Sequence, residues 1–354
     1  MKLLPGMFTM APSQNDHHVA LRCAVGVFVP LITLLLMGRL DVAVFASFGA
    51  FTGIYGRNEP QAGRFVIQLR AGLLMMLVLL LAALMARAHE DFALSAADTT
   101  WLQVLATTVV AGVCSLIVAW WRLRPAGSLI HIFAFAAIAS IPNQPPLWQG
   151  MLVAALTVAL SLLIGISSRV TRSHRTPWVR PKLPRLAPDE KRAARLEAVG
   201  YIVVAGVAGT LGTLAGKWLG FGHNYWAMVA AVVPLAGHST RHRVSRGVQR
   251  IMGTSLGLVL LAGILWLRPA PWQTVLVIAA CQFGAEMFFV RQYMLAQVFV
   301  TPLALASTLL VAPSSPAFLL RDRIVETVIG AAVGVAGVLA PTAGRRLRAR
   351  QPTF

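Results

Sequence analysis

The amino-acid sequence predicts an all-α polytopic membrane protein of about 12 transmembrane helices, arranged as two six-helix parallel repeats. Three observations predict this fold class. The 354 residues are 57% hydrophobic and only 12% charged, and the apolar residues come in blocks of about 20, the length needed to cross a bilayer. Basic residues cluster in the short loops between these blocks. One long polar segment, residues 169–195, divides the blocks into two halves.

Twelve apolar segments follow one another along the chain, and each is a candidate span. The second, fifth and eighth are short, so a tilted neighbour, a re-entrant segment or a half-helix is an alternative to a full span for each of them. In chain order the candidates are 19–37, 41–56, 66–86, 101–121, 128–141, 147–168, 199–219, 224–237, 251–267, 272–290, 294–312 and 324–343.

The distribution of Lys and Arg predicts the orientation of the chain in the membrane. If the amino terminus is cytoplasmic, all but six of the 31 Lys and Arg residues fall on the cytoplasmic side, as the positive-inside rule requires. Most of the nine tryptophans lie near proposed span ends, where an aromatic belt is expected. We therefore expect a multi-pass protein of the bacterial inner membrane with both termini in the cytoplasm. The six exceptions are Arg39, Arg87, Lys217, Arg268, Arg321 and Arg323.

The polar segment also defines the domain organisation. Residues 1–168 form the predicted first transmembrane repeat, residues 169–198 a basic cytoplasmic linker, and residues 199–354 the second repeat. A shift of 181 residues places the second and third spans of one half over those of the other. Halves with the same orientation are parallel repeats about an axis normal to the membrane, which is common in transporters. The matched pairs are Phe45 with Trp226, Ala46 with Ala227, Ala50 with Ala231, Gly56 with Gly237 and Gly72 with Gly253.

Several other classes of protein fit the sequence poorly. The formal charge of +19 could indicate nucleic-acid binding, but the placement of the basic residues in loops is explained by topology. Cys23, Cys114 and Cys281 lie singly in apolar segments, so neither a disulfide framework nor a metal cluster is predicted. His238 and His242 are four apart but have no third ligand beside them. We expect no enzyme activity, no metal and no cofactor.

The second half contains a series of motifs that resembles a known family. They are NYWAMVAAVVPL at 224–235, Arg246, RIMGTSLG at 250–257, AEMFFVRQYMLAQVFVTPLAL at 285–305 and RDRIVETVIG at 321–330. This order resembles the fusaric acid resistance protein-like, or aromatic acid exporter, family of integral membrane transporters. The first half is similar more loosely, through ALRCAVGVFVPL at 20–31 and FASFGAFTGIYGR at 45–57.

The resemblance implies transport. Family members with known roles export aromatic carboxylic acids and related toxic compounds from bacteria, and the plant aluminium-activated malate transporters are similar to them at a distance. Many larger relatives insert a sizeable cytoplasmic domain between the halves, whereas here that region is only residues 169–198. The resemblance therefore implies transport more strongly than any particular cargo.

The last span carries ionisable residues at its predicted outer end. In a helical projection, Asp322, Arg323 and Glu326 share a face with Gly330, and the opposite face is aliphatic. We expect the polar face to turn toward the bundle, and Arg321, on the aliphatic side, to reach the headgroups. Arg323 and Glu326 are three apart and could pair. They form either an anion-attracting arginine beside a protonatable carboxylate in a transport pathway, or an ordinary interfacial ion pair.

Glu286 lies inside the tenth span, where a charged group costs roughly 2.5–3.5 kcal/mol on insertion scales. Such a cost requires a partner, a water-filled cavity or a protonated state. The candidate partners are Arg291 and the Tyr293 hydroxyl toward the cytoplasmic end, or Arg323 from the last span. Glu286 is therefore a candidate for the transport pathway or for proton coupling, and a structural polar contact between helices is the alternative.

A basic stripe precedes the ninth span. Arg243, Arg246 and Arg250 are spaced by three and four, which places them along one side of a helix. These residues could draw an anionic substrate to a basic cytoplasmic mouth; the alternative is a topology signal that also contacts anionic lipid. The corresponding loop of the first half carries Arg57, Arg64 and Arg70.

The residues and the resemblance together lead to one hypothesis with two alternatives. We expect an inner-membrane transporter that exports organic, aromatic carboxylate anions, whose partners are a small organic anion substrate and membrane lipids. Proton coupling is a further hypothesis, because carboxylates lie inside the membrane and no nucleotide-binding sequence such as GxxxxGK[ST] is present. A passive anion channel and a non-transport scaffold of an envelope complex are the alternatives. Homo-oligomerisation stays open.

Overall fold

The computed structural model describes residues 9–12, 16–91, 95–141, 144–167, 177–179, 186–220, 225–236, 239–311 and 316–348. Twelve α-helices and no β-strand run through these residues. In chain order the helices are α1 (Asp16–Leu36), α2 (Ala43–Ala50), α3 (Gln61–Asp91), α4 (Ala96–Trp120), α5 (Leu129–Ala139), α6 (Leu147–Ile166), α7 (Pro188–Leu219), α8 (Tyr225–Ala231), α9 (Thr240–Trp266), α10 (Pro271–Phe288), α11 (Tyr293–Val311) and α12 (Pro316–Arg348).

Eight of the described helices are long and apolar enough to cross a membrane: α1, α3, α4, α6, α7, α9, α11 and α12. The prediction of an all-helical, multi-pass membrane protein is therefore confirmed. The other helices are α10, which contains the polar residues Gln282 and Glu286, and the short helices α2, α5 and α8. These three coincide with the segments that hydropathy marked as short, and twelve complete spans are not confirmed.

Several helices begin before the apolar segment that predicted them, because hydropathy marks only the part of a helix suited to hydrocarbon. The helix α7 begins at Pro188, and the Glu190 carboxylate accepts a hydrogen bond from the Ala187 N–H at 2.9 Å. The helix α9 begins after Ser239, whose hydroxyl accepts from the His242 N–H at 3.2 Å. Both helices therefore begin with polar turns, before the apolar segment, and side-chain hydrogen bonds cap these first turns. Much of the predicted linker lies outside the described residues.

The outward faces of the long helices are apolar. Exposed aliphatic side chains recur every four residues, which is one row along a helix surface. In water such rows would be unfavourable, whereas in a bilayer they match the acyl chains. The rows include Leu73, Leu77 and Leu81 on α3 and Val203, Val207 and Leu211 on α7.

Two of the short helices lie wholly inside the bundle. Every residue of α2 and every residue of α8 is buried. The helix α8 packs closely on α12, because a Cβ at Gly330 would overlap the Ala227 carbonyl oxygen and one at Gly334 would overlap that of Ala231. Helix ends at membrane depth are tolerated where protein surrounds them or where they line a cavity.

The contacts between helices join the two halves of the chain. The helix α1 packs on α10, and α4 packs on α7, so these two pairs form one part of the boundary. Within the first half α3 packs on α5 and α6, and within the second half α9 packs on α11 and α12. The short helix α2 contacts α6 and α11, while α8 contacts α12 and α5. The short helices and α11 therefore lie where the halves meet.

Candidate functional site

A cavity of about 350 Å³ lies between the two halves. Its walls come mainly from α2 and α5 of the first half and from α8, α9, α10 and α11 of the second. One end lies beside the α4–α5 loop and the start of α9; we call it the basic end because Arg124 and Arg246 line the cavity there. The cavity extends from the basic end to Ile141 and Val311. Its volume is typical of sites that bind small molecules, about 300–1,000 Å³.

Aromatic rings form much of the cavity wall. The rings of Phe48 and Phe133 meet edge to face at a centroid distance of 5.0 Å, so residues from α2 and α5 build one side. Such rings can contact a flat apolar ligand through stacking and edge-to-face geometry. The aromatic residues that line the cavity are Phe48, Phe51, Tyr55, Phe133, Tyr225, Phe289 and Tyr293.

Arg246 and Arg250 are the cationic residues of α9 that line the cavity. They are four residues apart, so their side chains project from the same side of the helix. Arg250 is 2% exposed, and its Nη1 donates to the Gln297 Oε1 at 2.6 Å. The Arg246 guanidinium lies over the Tyr293 ring, 4.5 Å from its centroid. The Nε atoms of both arginines are buried and have no hydrogen-bond partner among the described residues.

Glu286 lines the same cavity and has Arg57 as its partner. The Arg57 Nη1 lies 3.1 Å from the Glu286 carboxylate, and its Nη2 donates to the Glu286 carbonyl oxygen at 2.6 Å. The same Nη2 lies 3.2 Å from the Asp16 carboxylate at the start of α1. None of the three partners expected for Glu286 occupies this place. The guanidinium of Arg57 is instead shared between two carboxylates that are both almost fully buried.

Arg323, Asp322 and Glu326 are buried on the inner face of α12, as the helical projection predicted, but none of them lines the cavity. The predicted pair between Arg323 and Glu326 is absent from the ion pairs of the described residues. The guanidinium lies over the Trp226 ring, 3.4 Å from its centroid, and the Glu326 Oε2 accepts from the Trp226 N–H at 3.1 Å. Both side chains thus contact α8, which lies between them and the cavity wall.

The other predicted site residues do not face the cavity, apart from Tyr293. The Arg291 Nε donates to the Ala11 carbonyl oxygen at 3.0 Å, so Arg291 holds the segment before α1. Arg243 lies near Glu197 of α7, and Arg70 is partly buried on α3. Of the three arginines in the basic stripe of α9, Arg246 and Arg250 therefore line the cavity and Arg243 does not.

Arg124 and Gln297 are among the polar residues of the cavity that sequence reasoning missed. Gln297 carried a detectable signal, because it is a buried amide in the otherwise apolar α11. Arg124 carried no such signal, because arginines are common in the short loops between spans.

The described residues offer no candidate metal site: no group of three or more His, Cys, Asp or Glu side chains lies together among them. His242 belongs to α9, whereas His238 lies outside the described residues. The polar groups of the cavity are therefore guanidinium, amide, hydroxyl and carboxylate, which suit an organic ligand.

Comparisons with known proteins support the resemblance found in the sequence. The family model described as "Fusaric acid resistance protein-like" matches residues 210–337, a region that includes Arg246, Arg250 and Glu286. The chain is also similar to the uncharacterized membrane protein YvaC of Bacillus subtilis (strain 168), at 30% identity over 156 residues, which are 44% of this chain and 24% of that protein. The chain thus spans about a quarter of the length of this curated relative. No solved structure matches the chain.

Proposed function

We propose that this chain is a transporter of the bacterial inner membrane that exports small organic anions, with aromatic carboxylates as its substrate class. One observation is the main support: Arg246 and Arg250 line a closed-in apolar cavity whose other walls carry aromatic rings. An aromatic carboxylate matches both features, because its anionic group would bind the guanidinium groups and its ring would contact the aromatic side chains.

The charge balance of the cavity favours an anion over a cation. Glu286 is a carboxylate of the cavity lining, and it shares the positive charge of Arg57 with Asp16. The cavity lining also includes the cations Arg124, Arg246 and Arg250, which make the charge at the basic end positive. A guanidinium in a site with little water attracts an anion more strongly than one in bulk water. The basic end therefore concentrates organic anions.

We further propose that the two halves are six-helix repeats that move relative to each other. The helix pairings support this: a shift of six helices converts α3–α5 into α9–α11, α2–α6 into α8–α12, and α1–α10 into α7–α4. In transporters built from repeats, the substrate site lies at the boundary of the repeats, and rocking of one against the other gives alternating access. The cavity occupies such a boundary.

The proposed orientation has both termini in the cytoplasm, so the basic end faces the cell interior. Its support is the excess of Lys and Arg in the loops at that end. The family match over residues 210–337 supports a transport role in general, without indicating the cargo.

The substrate class can be tested by competition in proteoliposomes. The purified chain should exchange labelled benzoate across the membrane faster than protein-free liposomes do. Unlabelled naphthoate should compete, whereas benzamide, which has the same ring as benzoate but no charge, should compete at least tenfold less. Equal competition by benzamide would show that the arginines do not select for charge and would contradict the proposal.

Proton coupling is proposed for Glu286, because a carboxylate in the cavity can exchange a proton with a ligand or with water. With an imposed pH gradient, the wild-type chain should accumulate benzoate, and Glu286→Gln should abolish accumulation while retaining exchange. Unchanged accumulation in E286Q would remove the coupling role. A flux that neither saturates nor depends on the gradient would identify a passive anion channel.

A further inference from the structure

Arg323 is a buried cation that makes no close ion pair with the described residues, although the Glu326 carboxylate is near enough to act on its charge. Its side chain is 1% exposed, and its Nε and Nη1 atoms have no hydrogen-bond partner among those residues. Glu326, three residues on, uses one oxygen to accept from the Trp226 N–H, and its Oε1 has no hydrogen-bond partner in the part of the chain that the structure describes. Burying a guanidinium whose donors lack hydrogen bonds to a carboxylate is strongly unfavourable, so the unused donors of Arg323 suggest a role in binding.

The Trp226 ring covers this arginine. The guanidinium carbon lies 3.4 Å from the ring centroid, and the face of an indole is a weak substitute for an anion. The same ring contacts Phe133 at 4.9 Å between centroids and Tyr225 at 4.7 Å, and both of these residues line the cavity. A row of aromatic rings, from Phe48 through Phe133 to Trp226, thus connects the cavity with the guanidinium.

We propose that Arg323 is a second binding station for the carboxylate of the substrate, closed by the Trp226 ring in this structure. This inference rests on the proposed function, since the anion would first bind Arg246 and Arg250 at the basic end. When the Trp226 ring swings aside, the carboxylate binds the Arg323 guanidinium, and the aromatic body of the substrate takes the place of the indole. A flat aromatic anion supplies both a carboxylate for the guanidinium and a ring in the place of the indole. An aliphatic anion supplies only the carboxylate.

Glu326 is a positioning residue in this arrangement. Its Oε2 holds the backbone N–H of Trp226, so the start of α8 stays on α12 while the ring moves. The close packing at Gly330 and Gly334 fixes the same two helices. The moving part is therefore the Trp226 side chain, and α8 itself stays in place. Arg323 lies seven residues after the first residue of α12, and Arg250 is close enough to act on its charge, so the station is near the guanidinium groups of the cavity.

The transport test compares two arginines of the same helix. Arg321 is exposed, and its Nη2 lies 3.4 Å from the Leu219 carbonyl oxygen, so R321Q removes the same charge without touching the station. In proteoliposomes, R323Q should lower benzoate exchange at least tenfold, and R321Q should exchange at the wild-type rate. Equal exchange by R323Q and R321Q would overturn the station.

A binding test examines the station without requiring transport. It also provides a second measurement if R323Q does not fold. Equilibrium dialysis of labelled benzoate against the monodisperse full-length chain in detergent should show one site in the wild-type protein. Trp226→Leu, which keeps an apolar side chain but removes the covering ring, should add a second site that is lost again in W226L/R323Q and kept in W226L/R321Q. Equal stoichiometry for W226L and W226L/R323Q would overturn the station.

Failure of the proposed function gives a different result in the same measurements. In that case the wild-type chain exchanges no benzoate and lacks the first site, whereas the extra site in W226L still depends on Arg323. The two inferences can therefore fail separately.

Discussion

At the scale of single residues, Arg57 has the most demanding position, because it lies between the carboxylates of Asp16 and Glu286. Its side chain is 13% exposed, and those of its partners are 5% and 4% exposed. Removing the cation would leave two like charges in a poorly solvated place, and breaking one side of a buried ion pair is far more harmful than losing a surface pair.

We expect Arg57→Gln to lower the free energy of unfolding by about 3 kcal/mol, within the range for broken buried ion pairs. Thermal unfolding in mild detergent would measure the loss. The matched control is Arg39→Gln, since Arg39 pairs with Asp41 in an exposed position and donates one further hydrogen bond to Gln149, so its loss should lower the melting temperature much less. Equal effects of the two variants would contradict the buried network.

Gln297 offers a second test at the residue scale, because its Oε1 accepts from Arg250 and its amide nitrogen lies 3.2 Å from the Thr301 hydroxyl. Gln297→Glu would place a carboxylate beside Arg250 and compete with the substrate anion for the guanidinium. We expect Q297E to raise the half-saturating benzoate concentration at least tenfold, and Q297L to raise it less. A wild-type value in Q297E would show that Arg250 does not bind the anion.

The partner of Glu286 shows where prediction from the sequence ends at this scale. The requirement for a partner followed from one intramembrane carboxylate and the cost of burying it. The identity of the partner did not, because Arg57 lies 229 residues away, between α2 and α3, and comes close to Glu286 of α10 only in the folded bundle. The three partners expected from the sequence were either near in the chain or on the last helix, and all three were wrong.

At the scale of helices, the contact of α8 with α12 depends on glycine. A Cβ at Gly330 would overlap the Ala227 carbonyl oxygen, which is backbone and cannot turn aside. We expect Gly330→Ala to destabilise the protein by about 1–3 kcal/mol, the usual range for overpacking, and to shift Trp226. Thermal unfolding in detergent would measure the change.

Gly200→Ala is the matched control for this prediction. Gly200 lies inside α7, and no atom of the described residues lies within 4 Å of a Cβ built on it. The substitution should stabilise the helix by roughly 0.5–1 kcal/mol, because alanine is the better helix former. A stabilising effect of G330A similar to that of G200A would contradict the close packing of α8 on α12.

Helices were the most predictable level of structure. Hydropathy located all twelve described helices and marked the three short ones, because apolar segments of limited length are a local property of the sequence. The helical projection of the last span also predicted its inner face, since Asp322, Arg323 and Glu326 are buried while Ile324 and Val328 are exposed. The cavity was not predictable in this way, because its lining comes from seven helices that meet only in the folded bundle.

At the scale of the whole molecule, the two halves enclose a cavity that has guanidinium groups at one end and aromatic rings along its walls. The boundary between the halves includes α1 with α10 and α4 with α7. Arg57 also links the halves, because it belongs to the first and Glu286 to the second. A movement of one half against the other would have to break or carry along this ion pair, which lies toward the basic end.

Arg246 and Arg250 line the cavity, and we propose that they bind the transported anion there. The most direct test is benzoate exchange in proteoliposomes by two double variants, R246Q/R250Q and R70Q/R243Q. Both remove two positive charges from the basic regions of the chain, but only the first removes them from the cavity. A charge-assisted hydrogen bond contributes about 1.5–3 kcal/mol, and 1.4 kcal/mol is roughly tenfold in binding. We predict that R246Q/R250Q lowers exchange at least tenfold while R70Q/R243Q stays near the wild-type rate; equal losses in both would contradict the claim.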